Sequence, residues 1–145
     1  MLVQYYGIVE RPFAEVEAHL LDLGDALAGP ADSAYRLGEG LMVKIGGVGI
    51  AKTVLLDLGT PMRGTGSTSV PLEWWATGTP GLFPRMDAEL TVADMGGDLT
   101  QVRFQGSYQP PLGSVGRILD RALLGRLAEA SVKDFVDRVI VILAG

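Results

Sequence analysis

The chain of 145 residues contains no cysteine and a single histidine. The first absence excludes a disulfide framework and any thiolate-held zinc or iron–sulfur centre, and the second excludes a histidine-cluster metal site. No cofactor is expected. Excess positive charge is also missing: 12 Lys and Arg against 17 Asp and Glu give a net charge of −5. A partner made of phosphates is therefore not expected, because nucleic-acid affinity comes largely from basic side chains that neutralise the backbone. No uninterrupted apolar run approaches the roughly 18 residues that a membrane-crossing helix needs. The first residues, MLVQYYGIVERP, lack the basic lead, apolar run and small-residue cleavage site of a secretory signal, so a cytoplasmic address is expected.

What is present is apolar. Hydrophobic residues make up 48 % of the chain and charged ones 20 %, which suggests apolar surface turned toward something besides the chain's own core. The length fits one domain, residues 1–145, with a sizeable buried core. The charge is uneven, since residues 111–145 carry five basic and four acidic groups and residues 1–110 carry the acidic excess.

One stretch invites a nucleotide-binding reading. GGVGIAKT, Gly46 to Thr53, differs from the phosphate-gripping pattern Gly-x-x-x-x-Gly-Lys-Ser/Thr only at Ala51. Such a loop must open a helix, so that its N–H groups and the helix dipole face the anion. Here Leu41, Val43 and Ile45 alternate before it and Val54, Leu56 and Leu58 after it, while Gly59 and Pro61 follow too soon for a helix. The segment is expected to be a hairpin turn.

Residues 3–10 read as a strand, and Pro12 starts a helix that reaches about Leu27 with Phe13, Val16, Leu20, Leu23 and Leu27 as its stripe and Gly24 as the expected break. Between Ala34 and Tyr108 the period becomes alternating, and five strand segments of one antiparallel sheet are expected. The clearest pair sets Met86, Ala88, Leu90 and Val92 against Val102, Phe104, Gly106 and Tyr108 across a Gly96-Gly97-Asp98 turn. In SVPLEWWATG, Pro71 points to an edge strand or a bulge, and of Trp74 and Trp75, beside Glu73, one must face inward.

From Pro111 to about Leu143 a long helix is expected. Its stripe changes phase: Val115, Ile118, Leu119, Ala122 and Leu123 form one, and Leu124, Ala128, Val132, Phe135, Val136, Val139 and Leu143 form another about 130° round. Either a kink near Gly125 resets the phase, or the first half faces a cavity or a subunit interface.

Strand, helical insertion, antiparallel strands and closing helix follow the order of a helix-grip domain. The front segment YGIVERPFAEVEAHLLD and the run FPRMDAELTVADMGGDLTQVRFQGSYQPPLGSVGRILDRALLGRL resemble the START-like, or SRPBCC, superfamily over nearly the whole chain. That superfamily includes polyketide cyclase-like proteins, the birch-pollen allergen group and lipid-transfer domains. The resemblance implies an α+β fold in which a curved antiparallel sheet wraps the C-terminal helix, with a cavity between them.

The expected ligand is then a hydrophobic small molecule, such as a lipid or a polyketide-like or other aromatic compound. Its lining is expected from Leu41, Val43, Trp74, Met86, Ala88, Leu90, Val102, Phe104 and Tyr108 on the sheet, and from Leu119 and Leu123 on the helix. The enzyme alternative is a cyclase or dehydratase using His19, Glu39 or Tyr108 as acid or base, which needs two of them near one point. A third reading is an interaction module with a filled core, including a homodimer. GSVGR, Gly113 to Arg117, could present amides to an anion but reads more simply as a helix start with small residues for close packing, and Arg117 and Arg121 fit a solvated face near acids such as Asp120.

Overall fold

The computed structural model describes residues 2–27, 34–37, 40–45, 52–76, 85–109 and 121–145; for 34–37, 40–45, 52–53, 76, 121–124 and 127 it describes the backbone alone. Strand β1 spans Leu2–Val9 and is followed by helices α1, Phe13–Leu21, and α2, Leu23–Leu27. Strands β2 (Ala34–Leu37), β3 (Gly40–Ile45), β4 (Lys52–Leu58), β5 (Met62–Arg63), β6 (Ser67–Ala76), β7 (Arg85–Asp94) and β8 (Thr100–Gln109) come next. The last helix, α3, spans Arg121–Ala144.

All pairings are antiparallel, in the order β1-β8-β7-β6-β4-β3-β2, with β5 attached to β6. This is the expected sheet and closing-helix architecture, but with seven strands among the described residues from 34 onward where five were expected. The surplus comes from short pieces, β2 and β5, whose four and two residues are too few to show an alternation.

Pro12 stands one position ahead of α1, with φ −59° and ψ 145°, and its carbonyl accepts from the N–H groups of Glu15 and Val16 at 3.1 and 3.2 Å. The missing proline donor is thus one the first turn never uses. The break in the front helix falls at Asp22 (φ −107°, ψ 14°), with Gly24 inside α2. Asp22 closes α1 through its own N–H onto the His19 carbonyl, 3.2 Å, and its carbonyl then receives the N–H of Ala26, 3.1 Å. The one-residue offset keeps Val16, Leu20, Leu23 and Leu27 all buried.

Strand β6 is interior, lying between β7 and β4, so Pro71 does not mark an edge. Its ring nitrogen lies where β4, whose last pair is Leu58 with Leu72, gives way to β5, whose first is Met62 with Ser69. The absent N–H faces that gap, while the Pro71 carbonyl accepts the Gly59 N–H at 2.7 Å. A Cβ on Gly59 would come within 2.6 Å of the Pro71 ring, so only glycine permits this approach.

GGVGIAKT joins neighbouring antiparallel strands. Ile45 pairs with Lys52 and Lys44 with Thr53, so the Lys-Thr of the near-motif starts a strand and no helix dipole is available to a phosphate. Residues 46–51, where a hairpin turn is expected, lie outside the described residues, as does the first stripe of the closing helix up to residue 120.

The second stripe is as expected. Ala128, Val132, Phe135, Val136, Val139 and Leu143 are all buried, α3 runs through Gly125 without interruption, and the six sit in one core with the inner face of the sheet. The α3 helix packs more over β1 than over any other strand.

Candidate ligand site

Alternation puts every second residue of β1, β6, β7 and β8 on the face that α1 and α3 cover, and the strand register arranges these residues in rows. Leu56, Trp74, Met86 and Tyr108 form the first row. Leu58, Leu72, Ala88, Gly106 and Val3 form the second. Val70, Leu90, Phe104 and Tyr5 form the third, and Thr68, Val92, Val102 and Gly7 the fourth.

The sequence-based site therefore maps to one surface. Trp74, Met86, Leu90, Val102, Phe104 and Tyr108 are buried on it, and Ala88 is half-buried there. Leu41, Val43 and Leu123 have described backbone only, and Glu39, Gly113 to Arg117, Leu119 and Asp120 lie outside the described residues. Trp75 faces outward, where the Arg85 guanidinium sits 5.6 Å from its ring centre and bonds Glu73 at 2.6 Å.

The two ends of this surface differ. At the fourth-row end, α1, α2 and the C-terminus of α3 close the fold: Arg11 donates to the Ala144 carbonyl at 3.0 Å, Thr100 donates to the Arg11 carbonyl at 2.9 Å, and the His19 Nδ1–H donates to the Leu143 carbonyl at 3.0 Å. His19 is thus a clasp between α1 and α3. Tyr108 lies at the opposite end of β8, eight residues from Thr100, about 26 Å at strand rise. The acid–base pairing of His19 with Tyr108 has no common point in this structure.

Trp74, Phe104 and Phe135 make a ring cluster, with Trp74 to Phe135 edge-on at 5.2 Å, Trp74 to Phe104 at 5.8 Å and Phe104 to Phe135 edge-on at 6.3 Å between centres. Beside it the second row narrows to Ala88 and Gly106. A Cβ on Gly106 would lie 2.8 Å from Met86 Sδ, 2.9 Å from Ala88 Cβ and 3.0 Å from Phe104 Cε1. We expect Gly106→Ala to lower stability by roughly 1–2 kcal/mol, read as a lower urea midpoint at unchanged slope, because Met86 can move aside but Ala88 cannot.

Among the described residues no charged side chain is buried on this face; the charges of β7 and β8, at Arg85, Asp87, Glu89 and Arg103, alternate outward. One carboxylate reaches it, at the fourth-row end and away from Tyr108. Glu17 of α1 accepts from the Thr68 hydroxyl of β6 and from Arg63 of β5, the latter at 2.7 Å. The Arg63 hydrogen bond first, and that of Thr68 second, hold the Glu17 carboxyl below the ordinary carboxylate range. Sequence reading missed this cluster, whose members lie 46 and 51 positions apart.

Neither a family model nor a curated protein matches the chain at the level of sequence. Solved structures do match in shape. The Zhui aromatase/cyclase from Streptomyces sp. R1128 is similar over 99 % of this chain and 93 % of its own, with a TM-score of 0.67 at 14 % identity. A START superfamily protein from Mycobacterium smegmatis is similar over 95 % of this chain and 96 % of its own, with a TM-score of 0.58 at 13 % identity. Norcoclaurine synthase from Thalictrum flavum, in complex with dopamine and hydroxybenzaldehyde, is similar over 99 % and 86 %, with a TM-score of 0.57 at 11 % identity. The fold is the START-like, or SRPBCC, helix-grip fold.

Proposed function

We propose that the chain binds a hydrophobic, ring-containing small molecule between the first sheet row, Leu56, Trp74, Met86 and Tyr108, and the N-terminal part of the closing helix. The observation that carries this reading is the make-up of that row. It is apolar from Leu56 to Met86, it ends in one phenol, and among the described residues no charge is buried beside it. Such a surface removes an apolar ligand from water. Each 100 Å² of apolar area taken up supplies about 2.5 kcal/mol before the costs of association.

Two further features support it. Met86 lies over Gly106, and an unbranched thioether can swing aside for a ring at low cost. The similar structures include an aromatase/cyclase and a synthase holding two aromatic compounds. Leu41 and Val43, on β3 beside β4, and Leu119 and Leu123 complete the proposed lining. We read the role as binding or carriage; His19 and Tyr108 do not meet, and Glu39, the third candidate acid or base, lies outside the described residues.

The test uses the two tryptophans, the only ones in the chain. In Trp75→Phe the remaining indole, Trp74, is fully buried on the inner face. Titration with 2-naphthol and with anilinonaphthalene sulfonate is expected to change Trp74 emission saturably, with dissociation constants of about 1–100 µM. Emission that stays constant up to the solubility limit of both compounds contradicts the proposal.

A further inference from the structure

Strand β1 is, among the described residues, a sheet edge with no strand on its outer side. Among the described residues it pairs with β8 alone, in unbroken register from Leu2 with Ser107 to Val9 with Thr100. Natural edges are blunted by charge, proline, a bulge or shortness. LVQYYGIV has none of these over eight residues, and its outward positions Leu2, Tyr6 and Ile8 are 61, 52 and 48 % exposed. Beside the edge, a groove of about 490 Å³ separates Leu2–Tyr5 from the α3 face that carries Arg126, Glu129 and Lys133.

The charges on that face identify the occupant. Read along α3 they run Arg126, Glu129, Lys133, Asp137, alternating plus and minus, with Asp137 tied to Lys133 at 2.6 Å and to the Tyr5 hydroxyl at 3.0 Å. Reversed, this order is minus, plus, minus, plus. A second copy related by a two-fold axis presents that reversed order, and a strand without charge meets no repulsion from its own copy. We infer that the chain forms a two-fold homodimer through antiparallel pairing of β1 with β1, flanked by α3 helices on which Glu129 faces the partner's Lys133 and Arg126 faces the partner's Asp137. The pairing supplies the backbone partners that β1 lacks and continues the outer face that carries Leu2, Tyr6 and Ile8 across the two-fold axis. It stands independently of the ligand proposal, because it uses the β1 edge and no residue of the first row.

Sedimentation velocity over roughly 1–100 µM tests it, with far-ultraviolet spectra checking that each variant is folded. The wild type is expected to sediment as a dimer at the upper end of this range. Tyr6→Lys places a charge on the edge and is expected to weaken the dimer about tenfold or more, while Met62→Lys, equally exposed on β5, leaves it intact. Glu129→Lys is expected to weaken the dimer, and the double variant Glu129→Lys/Lys133→Glu to restore it, since each helix then meets the reversed pattern again. A monomer at every concentration, a dimer indifferent to Tyr6→Lys, or a charge swap that fails to restore association overturns the inference.

Discussion

Phe135→Ala is expected to be the most destabilising single substitution in the closing helix, at about 3–5 kcal/mol. Phe135 is fully buried and stands edge-on to both Trp74 and Phe104, so truncation removes its transfer energy and two ring contacts and leaves a void between sheet and helix. The loss is a large share of the roughly 5–15 kcal/mol that holds a domain of this kind together. Three elements meet at the cluster, β6, β8 and α3, and they cannot all move in to fill the space. Urea unfolding followed by Trp74 emission in the Trp75→Phe background measures it. A loss below about 1 kcal/mol would show that the helix does not rest on the sheet as described.

The second large effect is expected at Glu17. Glu17→Ala removes the acceptor of the buried Thr68 hydroxyl, which is 1 % exposed, and stranding a buried hydroxyl costs about 1–3 kcal/mol. The exposed guanidinium of Arg63 adds little to that figure, because water screens it. A pH signature separates the carboxylate from a packing effect. The folded-state pKa of Glu17 is depressed, so its contribution is fully present above the unfolded value of about 4.3 and is lost as pH falls through the lower folded value. Stability of the wild type should therefore fall more steeply below about pH 4.5 than that of Glu17→Gln, with the curves parallel above it. Parallel curves throughout would mean that the carboxylate is not held as described.

The contrast between these two sites shows what was legible in the sequence. The inner rows of β7 and β8 follow from strict alternation around a glycine turn, in which Gly96 and Gly97 both take positive φ, 91° and 58°. The buried stripe of α3 follows from its spacing. Both signals are local and repeat several times, so a single sequence carries them. The Glu17, Arg63 and Thr68 cluster and the tie of Tyr5 to Asp137, 132 positions apart, arise only when α1 and α3 are laid on the sheet. Pro71 was expected to mark an edge or a bulge; its strand is interior, and the missing N–H faces the break in pairing where three residues, 59–61, stand opposite two, 70–71. Asp22 instead of Gly24 ends the first helix because the core stripe, and not the least helical residue, decides the phase.

The candidate site divides in the same way. The sequence named seven inner-face residues of β6, β7 and β8 correctly as facing one surface, because alternation is enough for that. It did not show that Trp74 and Phe104 would meet Phe135 of the closing helix, since that contact depends on how α3 lies on the sheet. His19 was a candidate acid or base only under the enzyme alternative, and its ring holds the Leu143 carbonyl.

Native mass spectrometry of the freshly purified chain, followed by organic extraction and identification of whatever is released, tests the central proposal most directly. The account predicts an apolar mass of a few hundred daltons released from the folded protein, or taken up on incubation with aromatic compounds and competing with 2-naphthol at Trp74. A mass that stays that of the bare chain through both steps would contradict it.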